Sequence, residues 1–102
     1  MAEKEAITEN DIVIFKNSYE FEGKIYAQLD LSGIQNLTGK EYCEIESQFE
    51  KSGNFSALKE LNTYYAFLIA HKVTGMPIEF FNNLKGGDIM RIKNAVSSNF
   101  FN

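Results

Sequence analysis

YYAFLIAHKVTGMPIEFF, residues 64–81, is the stretch on which the fold turns. Its first seven residues carry no charge, and apolar or aromatic side chains fall on every side of the helix they predict. A helix that is apolar all round has to be covered all round. Gly75 supplies the helix stop and Pro77 prevents continuation. Pro77 also suits the first turn of a short helix over residues 77–84, which carries the adjacent Phe80 and Phe81. Only 102 residues are available as cover. The long apolar helix is therefore expected to be shared between the chain's own core and a partner.

On the N-terminal side of that stretch, Leu58, Leu61, Tyr65 and Leu68 recur at helical spacing, and Ser56 is placed to cap. This predicts a helix over 56–74. Further upstream, Thr38-Gly39-Lys40-Glu41 matches a capping box at the head of a helix over 39–52. Tyr42, Ile45 and Phe49 form its apolar stripe, with Glu41, Glu44, Gln48 and Lys51 opposite, and Gly53-Asn54 end it. Residues 24–31 alternate, with Ile25, Ala27, Leu29 and Leu31 on one side and Tyr26, Gln28 and Asp30 on the other. That period predicts a half-buried strand, the second arm of a hairpin over 19–31 turning at Glu22-Gly23. Residues 12–15 are a separate apolar burst of strand type. Ile34 and Leu37 are expected to pin the connector after the hairpin to the core.

Beyond residue 84, Lys85-Gly86-Gly87 reads as a turn and Asp88 as the cap of a last helix over 88–101. Ile89, Ile92, Val96 and Phe100 form its core stripe. Met90 and Phe101, three turns apart, share a different face. The fold class is α+β: an N-terminal β-hairpin followed by a bundle of three to four helices. It makes one domain over 12–102, preceded by a flexible acidic arm, 1–11, with Glu3, Glu5, Glu9 and Asp11.

A net charge of -4 and a pI near 4.9 argue against nucleic-acid binding and against an anionic membrane surface. No segment reaches the ~20 apolar residues of a membrane span. The single cysteine, Cys43, forms no intramolecular disulfide, and the acidic N-terminus lacks the apolar run of a signal peptide, so the expected setting is a reducing cytoplasm. His71 is the only histidine, and with one cysteine it makes neither a zinc site nor a catalytic triad by any spacing present. Glu41, Glu44, Glu46 and Glu50 read as a solvated helix face. No cofactor, metal or catalytic residue is expected.

The aromatic doublets are left. Neighbours on a helix point ~100° apart, so Phe80 and Phe81 do not both centre one stripe, and neither do Phe100 and Phe101. Either one member of each pair lies at the edge of the core, or Phe80, Met90 and Phe101 form an exposed patch for a partner. Tyr64 and Phe67, which spill round the sides of the apolar helix, extend that candidate surface in a helix-in-groove mode.

Three segments together resemble the tail assembly chaperones of long-tailed phages and prophages of Gram-positive bacteria. The first is FEGKIYAQLDLSGIQNLTGKE, residues 21–41, a strand pair leading into an LDLSGIxNLT connector. The second is residues 64–81, with the succession of helix, Gly, Pro and aromatics. The third is residues 88–101, ending in paired Phe. The resemblance implies a non-enzymatic protein that binds the tape measure protein, keeps it soluble and helps bring tail tube protein to it. It would work in the host bacterial cytoplasm and be absent from the mature virion, with self-association possible. Many such chaperones are made in two lengths, and this chain would be the short one. The residues leave three other readings open: an adaptor binding another protein, a nucleic-acid regulator with a helix-turn-helix over 77–99, and an enzyme completed by several chains.

Overall fold

The computed structural model describes residues 11–53 and 62–101, with only the backbone of Phe100 and Phe101. Two antiparallel strands, β1 (Ile12–Phe21) and β2 (Lys24–Asp30), form a hairpin. A 3-10 helix, Ser32–Asn36, follows, and then α1 (Gly39–Lys51), α2 (Thr63–Thr74), α3 (Ile78–Asn82) and α4 (Gly86–Phe101). This is the expected α+β architecture. The expected arm over 1–10, the Ser56 cap and Leu58 and Leu61 lie outside the described residues.

The hairpin turns at Glu22-Gly23 as the sequence predicts, but both residues have positive φ, 51° and 82°. That is the demand of a tight turn matched to strand twist, and it is met at no steric cost only at Gly23. The apolar burst at 12–15 belongs to β1 itself. Pairing runs Ile12–Asp30, Val13–Leu29 and Ile14–Gln28, then resumes at Tyr19–Tyr26, Glu20–Ile25 and Phe21–Lys24. Four residues of β1, 15–18, thus stand opposite Ala27 alone, a bulge of three extra residues.

An odd insertion has a geometric consequence that corrects the period-two reading of β2. Inward positions of β1 stay odd: Val13 and Phe15 are buried, Tyr19 and Phe21 half-buried. Their partners on β2 therefore switch from odd, Leu29, to even, Tyr26. Ile25, expected on the core side with Leu29, is 73% exposed.

α1 begins with the predicted capping box: Glu41 N–H donates to Thr38 Oγ1 (3.2 Å) and Thr38 N–H to Glu41 Oε1 (2.9 Å). Its apolar stripe delivers Ile45 and Phe49 to the core. α2 does not run through from residue 56. Asn62 is extended, with φ -86° and ψ 134°, and its side chain caps the helix by accepting from Tyr65 N–H (3.0 Å). Six consecutive residues of α2, Tyr65 to Ala70, are buried. α1, α3, α4 and the 3-10 helix all pack on it. The approach of the 3-10 helix is close enough that a Cβ on Gly33 would meet Val73 Cγ1 at 2.8 Å.

The expectation that α2 needs a partner to cover it is therefore overturned. α1, α3, α4 and the 3-10 helix cover it within one chain. α4 begins two residues before Asp88, so that Asp88 lies in the first turn instead of capping it. Its carboxylate reaches the hairpin, where Oδ1 accepts from Lys16 N–H (2.9 Å) in the bulge.

Candidate binding surface

Of the five residues singled out from the sequence, two are core residues. Phe80 is fully buried, and a set of rings surrounds it: Tyr19 at 5.0 Å, Tyr26 and Phe81 at 5.1 Å, and Phe21 at 5.3 Å between centroids. The Tyr19 hydroxyl donates to the Phe80 carbonyl (2.9 Å). Phe81 is also fully buried and meets Phe67 of α2 at 5.7 Å; Phe67 is 6% exposed.

Both members of the doublet are inside because α3, of five residues, lies between two walls. Side chains ~100° apart each have one: the hairpin for Phe80, α2 for Phe81. The exposed patch expected around Phe80 does not exist, and Phe67 adds nothing to it.

Tyr64 is half-buried and stacks on Phe49 of α1 at 6.4 Å. It shares with Phe67 a cleft of about 390 Å³ that Asn62, Thr63 and Asn82 also line. Met90 is 50% exposed, as expected. The side chain of Phe101 lies outside the description.

The apolar surface left open among the described residues is mainly on the hairpin. Ile14 is 64% exposed and Ile25 73%, both on the face turned away from the helices. The sequence carried no signal that Ile14 faces out, because Ile12-Val13-Ile14-Phe15 is apolar throughout. For Ile25 there was none, because the bulge that turns it outward depends on the pairing register. Between β1 and α4 lies a cleft of about 430 Å³, lined by residues 12–14 and by Arg91, Asn94, Ala95 and Ser98.

Asp11, expected at the end of a solvated arm, is 2% exposed. Its carboxylate accepts from Gln35 Nε2 (2.8 Å) and Asn99 Nδ2 (3.3 Å), and its carbonyl accepts from Leu31 N–H (2.7 Å). A buried carboxylate satisfied in this way ties the start of β1 to the connector and to α4. His71 Nδ1 lies 2.6 Å from the Met76 carbonyl and closes the C-terminal end of α2. Cys43 is exposed and free.

Glu44 and Lys72 pair across α1 and α2 at 2.9 Å. The hydrogen bond from Lys72, and then its charge, hold the Glu44 carboxyl below its ordinary value, and Glu44 raises Lys72 in return. Both are exposed to solvent, which screens the pair. Among the described residues no group of three or more His, Cys, Asp and Glu is placed to hold a metal ion, and no helix is long and apolar enough to cross a membrane.

Compared with protein-family models, curated proteins and solved structures, the chain matches none of them.

Proposed function

We infer that this chain is a non-catalytic binding protein and that its role is tail assembly chaperone. It binds the tape measure protein of a long-tailed phage or prophage, keeps it soluble in the host bacterial cytoplasm, helps recruit tail tube subunits, and stays out of the mature virion. The binding half rests on one observation: Ile25, Ile14 and Met90 are 73%, 64% and 50% exposed, on a molecule that buries all of its other large described aliphatics more deeply. A contiguous apolar patch marks a surface that another chain covers, and the outward hairpin face that carries Ile14 and Ile25 is the candidate for one. The acidic balance, -4, helps keep a protein with such a surface in solution. The tail-assembly half rests on the three segments quoted above, in their order along the chain.

Co-expression tests the whole reading. The client is a tape measure protein, and the measurement is the fraction of that client left soluble after lysis. The chaperone role predicts that the client is insoluble alone, soluble with this chain, and recovered with it on affinity capture. A client that stays insoluble in its presence, or soluble in its absence, overturns the role.

A further inference from the structure

The hydrogen-bond phase of the hairpin leaves part of one strand edge open. Leu31 N–H donates to the Asp11 carbonyl in the register that then pairs Ile12 with Asp30, Val13 with Leu29 and Ile14 with Gln28. Opposed residues of an antiparallel pair alternate between exchanging main-chain bonds and turning them away. Asp11 and Val13 therefore face β2, and Ile12 and Ile14 turn their N–H and C=O groups to the other edge. Lys16, two residues on, follows the same phase and donates outward to Asp88 Oδ1 on α4 (2.9 Å). α4 thus closes the edge at Lys16. Before it, at Ile12 and Ile14, no hydrogen bond outside the hairpin is made among the described residues. There the edge borders the cleft of about 430 Å³ against α4.

We propose that this cleft takes a short extended segment of a partner protein, bearing a carboxylate, as a third strand added to β1. Four main-chain groups of Ile12 and Ile14 supply the ladder bonds, and such bonds give strand addition its affinity. Buried Val13 and Ala95 give the cleft an apolar floor. Exposed Ile14 offers a cross-strand contact to a β-branched neighbour.

Charge complementarity selects the occupant. Among the described residues that line the cleft, Arg91 is the one charged residue and none is a carboxylate. One nitrogen of Arg91, Nη1, holds Asp88 at 3.1 Å, which leaves donors of a five-donor group for a ligand. A second copy of β1 fits less well, because Ile-Val-Ile at the open stretch brings no acid to Arg91. This mode of binding stands whether or not the client is a tape measure protein.

The test uses the full chain, labelled with 15N, and synthetic peptides of no phage origin. The probe is acetyl-Thr-Val-Glu-Val-Thr-amide. Its controls are the same peptide with Lys in place of Glu, and the Glu peptide methylated at alternate main-chain nitrogens. At saturation the probe slows exchange of the Ile12 and Ile14 amides about tenfold, the scale of a hydrogen bond formed at a strand edge. Arg91→Gln and the Lys peptide each weaken binding by about tenfold, and Asn94→Trp, an exposed position whose new ring fills the cleft, does the same.

No slowing at Ile12 and Ile14, or equal binding of the methylated peptide, overturns the proposal. So does slow exchange at those amides before any peptide is added. If that protection grows with protein concentration, a second copy is the occupant. If it is independent of concentration and is lifted by removing residues 1–9, the chain's own N-terminus is.

Discussion

Phe80 shows how one residue organises the interface between the two halves of the fold. Its ring is the point where β1, β2 and α3 meet, and it has no solvent contact. Phe80→Ala removes a ring that at least four others touch, and the walls around it belong to different elements that cannot all close in. The expected loss is about 3–5 kcal/mol, read as a fall in the urea midpoint at unchanged slope. A charge at Phe80 would unfold the chain and so report nothing about a partner. Tyr19, packed on Phe80, has its phenol raised above the ordinary tyrosine value by desolvation. The folded state then holds that proton more tightly than the unfolded one. The corresponding stability is complete below the ordinary tyrosine pKa and is lost as pH rises through the folded value. Tyr42 is raised by burial in the same way, so the alkaline absorbance titration should show late-titrating phenols, and Tyr19→Phe should reduce their amplitude without removing it.

At the scale of elements, much was legible because local chemistry decides it. Thr38 and Glu41 announce the start of α1, and both of their bonds are made. Gly75 ends α2 in the left-handed conformation at φ 79°. The Glu22-Gly23 turn was likewise readable, and it carries a defect: Glu22 at φ 51° sits where Asn or Gly is at ease. Glu22→Asn should raise stability by about 0.5–1 kcal/mol, seen as a higher thermal midpoint with no change in the hairpin's amide shifts away from the turn.

What local chemistry does not decide was misread. The register shift between Ile14 and Tyr19 divides β1 into two inward-facing stretches, Val13 and Phe15 buried in the core and Tyr19 and Phe21 half-buried against Phe80. No pattern within β2 encodes it, so Ile25 was placed inside and Tyr26 outside, the reverse of what is found. The start of α2 was missed for a similar reason. Leucines at 58 and 61 continue the helical spacing, whereas Asn62, a capping residue within that run, marks the boundary.

For the molecule as a whole, the apolar run from residue 64 in a chain of 102 residues pointed to excess apolar helix, and the structure absorbs it. A 12-residue helix with Tyr65 to Ala70 buried is enclosed by four other helical elements of the same chain. One of them, the 3-10 helix, comes near enough that Gly33 is needed beside Val73. Surface available to a partner is correspondingly displaced from the aromatic helices to the outer face and open edge of the hairpin and to Met90 on α4. Position in the fold, more than residue type, decided which apolar side chains are free. Phe80, expected at the surface, has no solvent exposure, and two isoleucines of the hairpin, one on each strand, are the most exposed large hydrophobics among the described residues.

The most direct measurement of that displacement is the soluble fraction of the co-expressed tape measure client with wild type and with Ile14→Asp/Ile25→Asp. Both substituted positions face solvent, so the double variant should keep the far-ultraviolet spectrum and near wild-type unfolding midpoint. The account predicts that it leaves the client insoluble while wild type does not. A double variant that is folded and solubilises the client as well as wild type would contradict it.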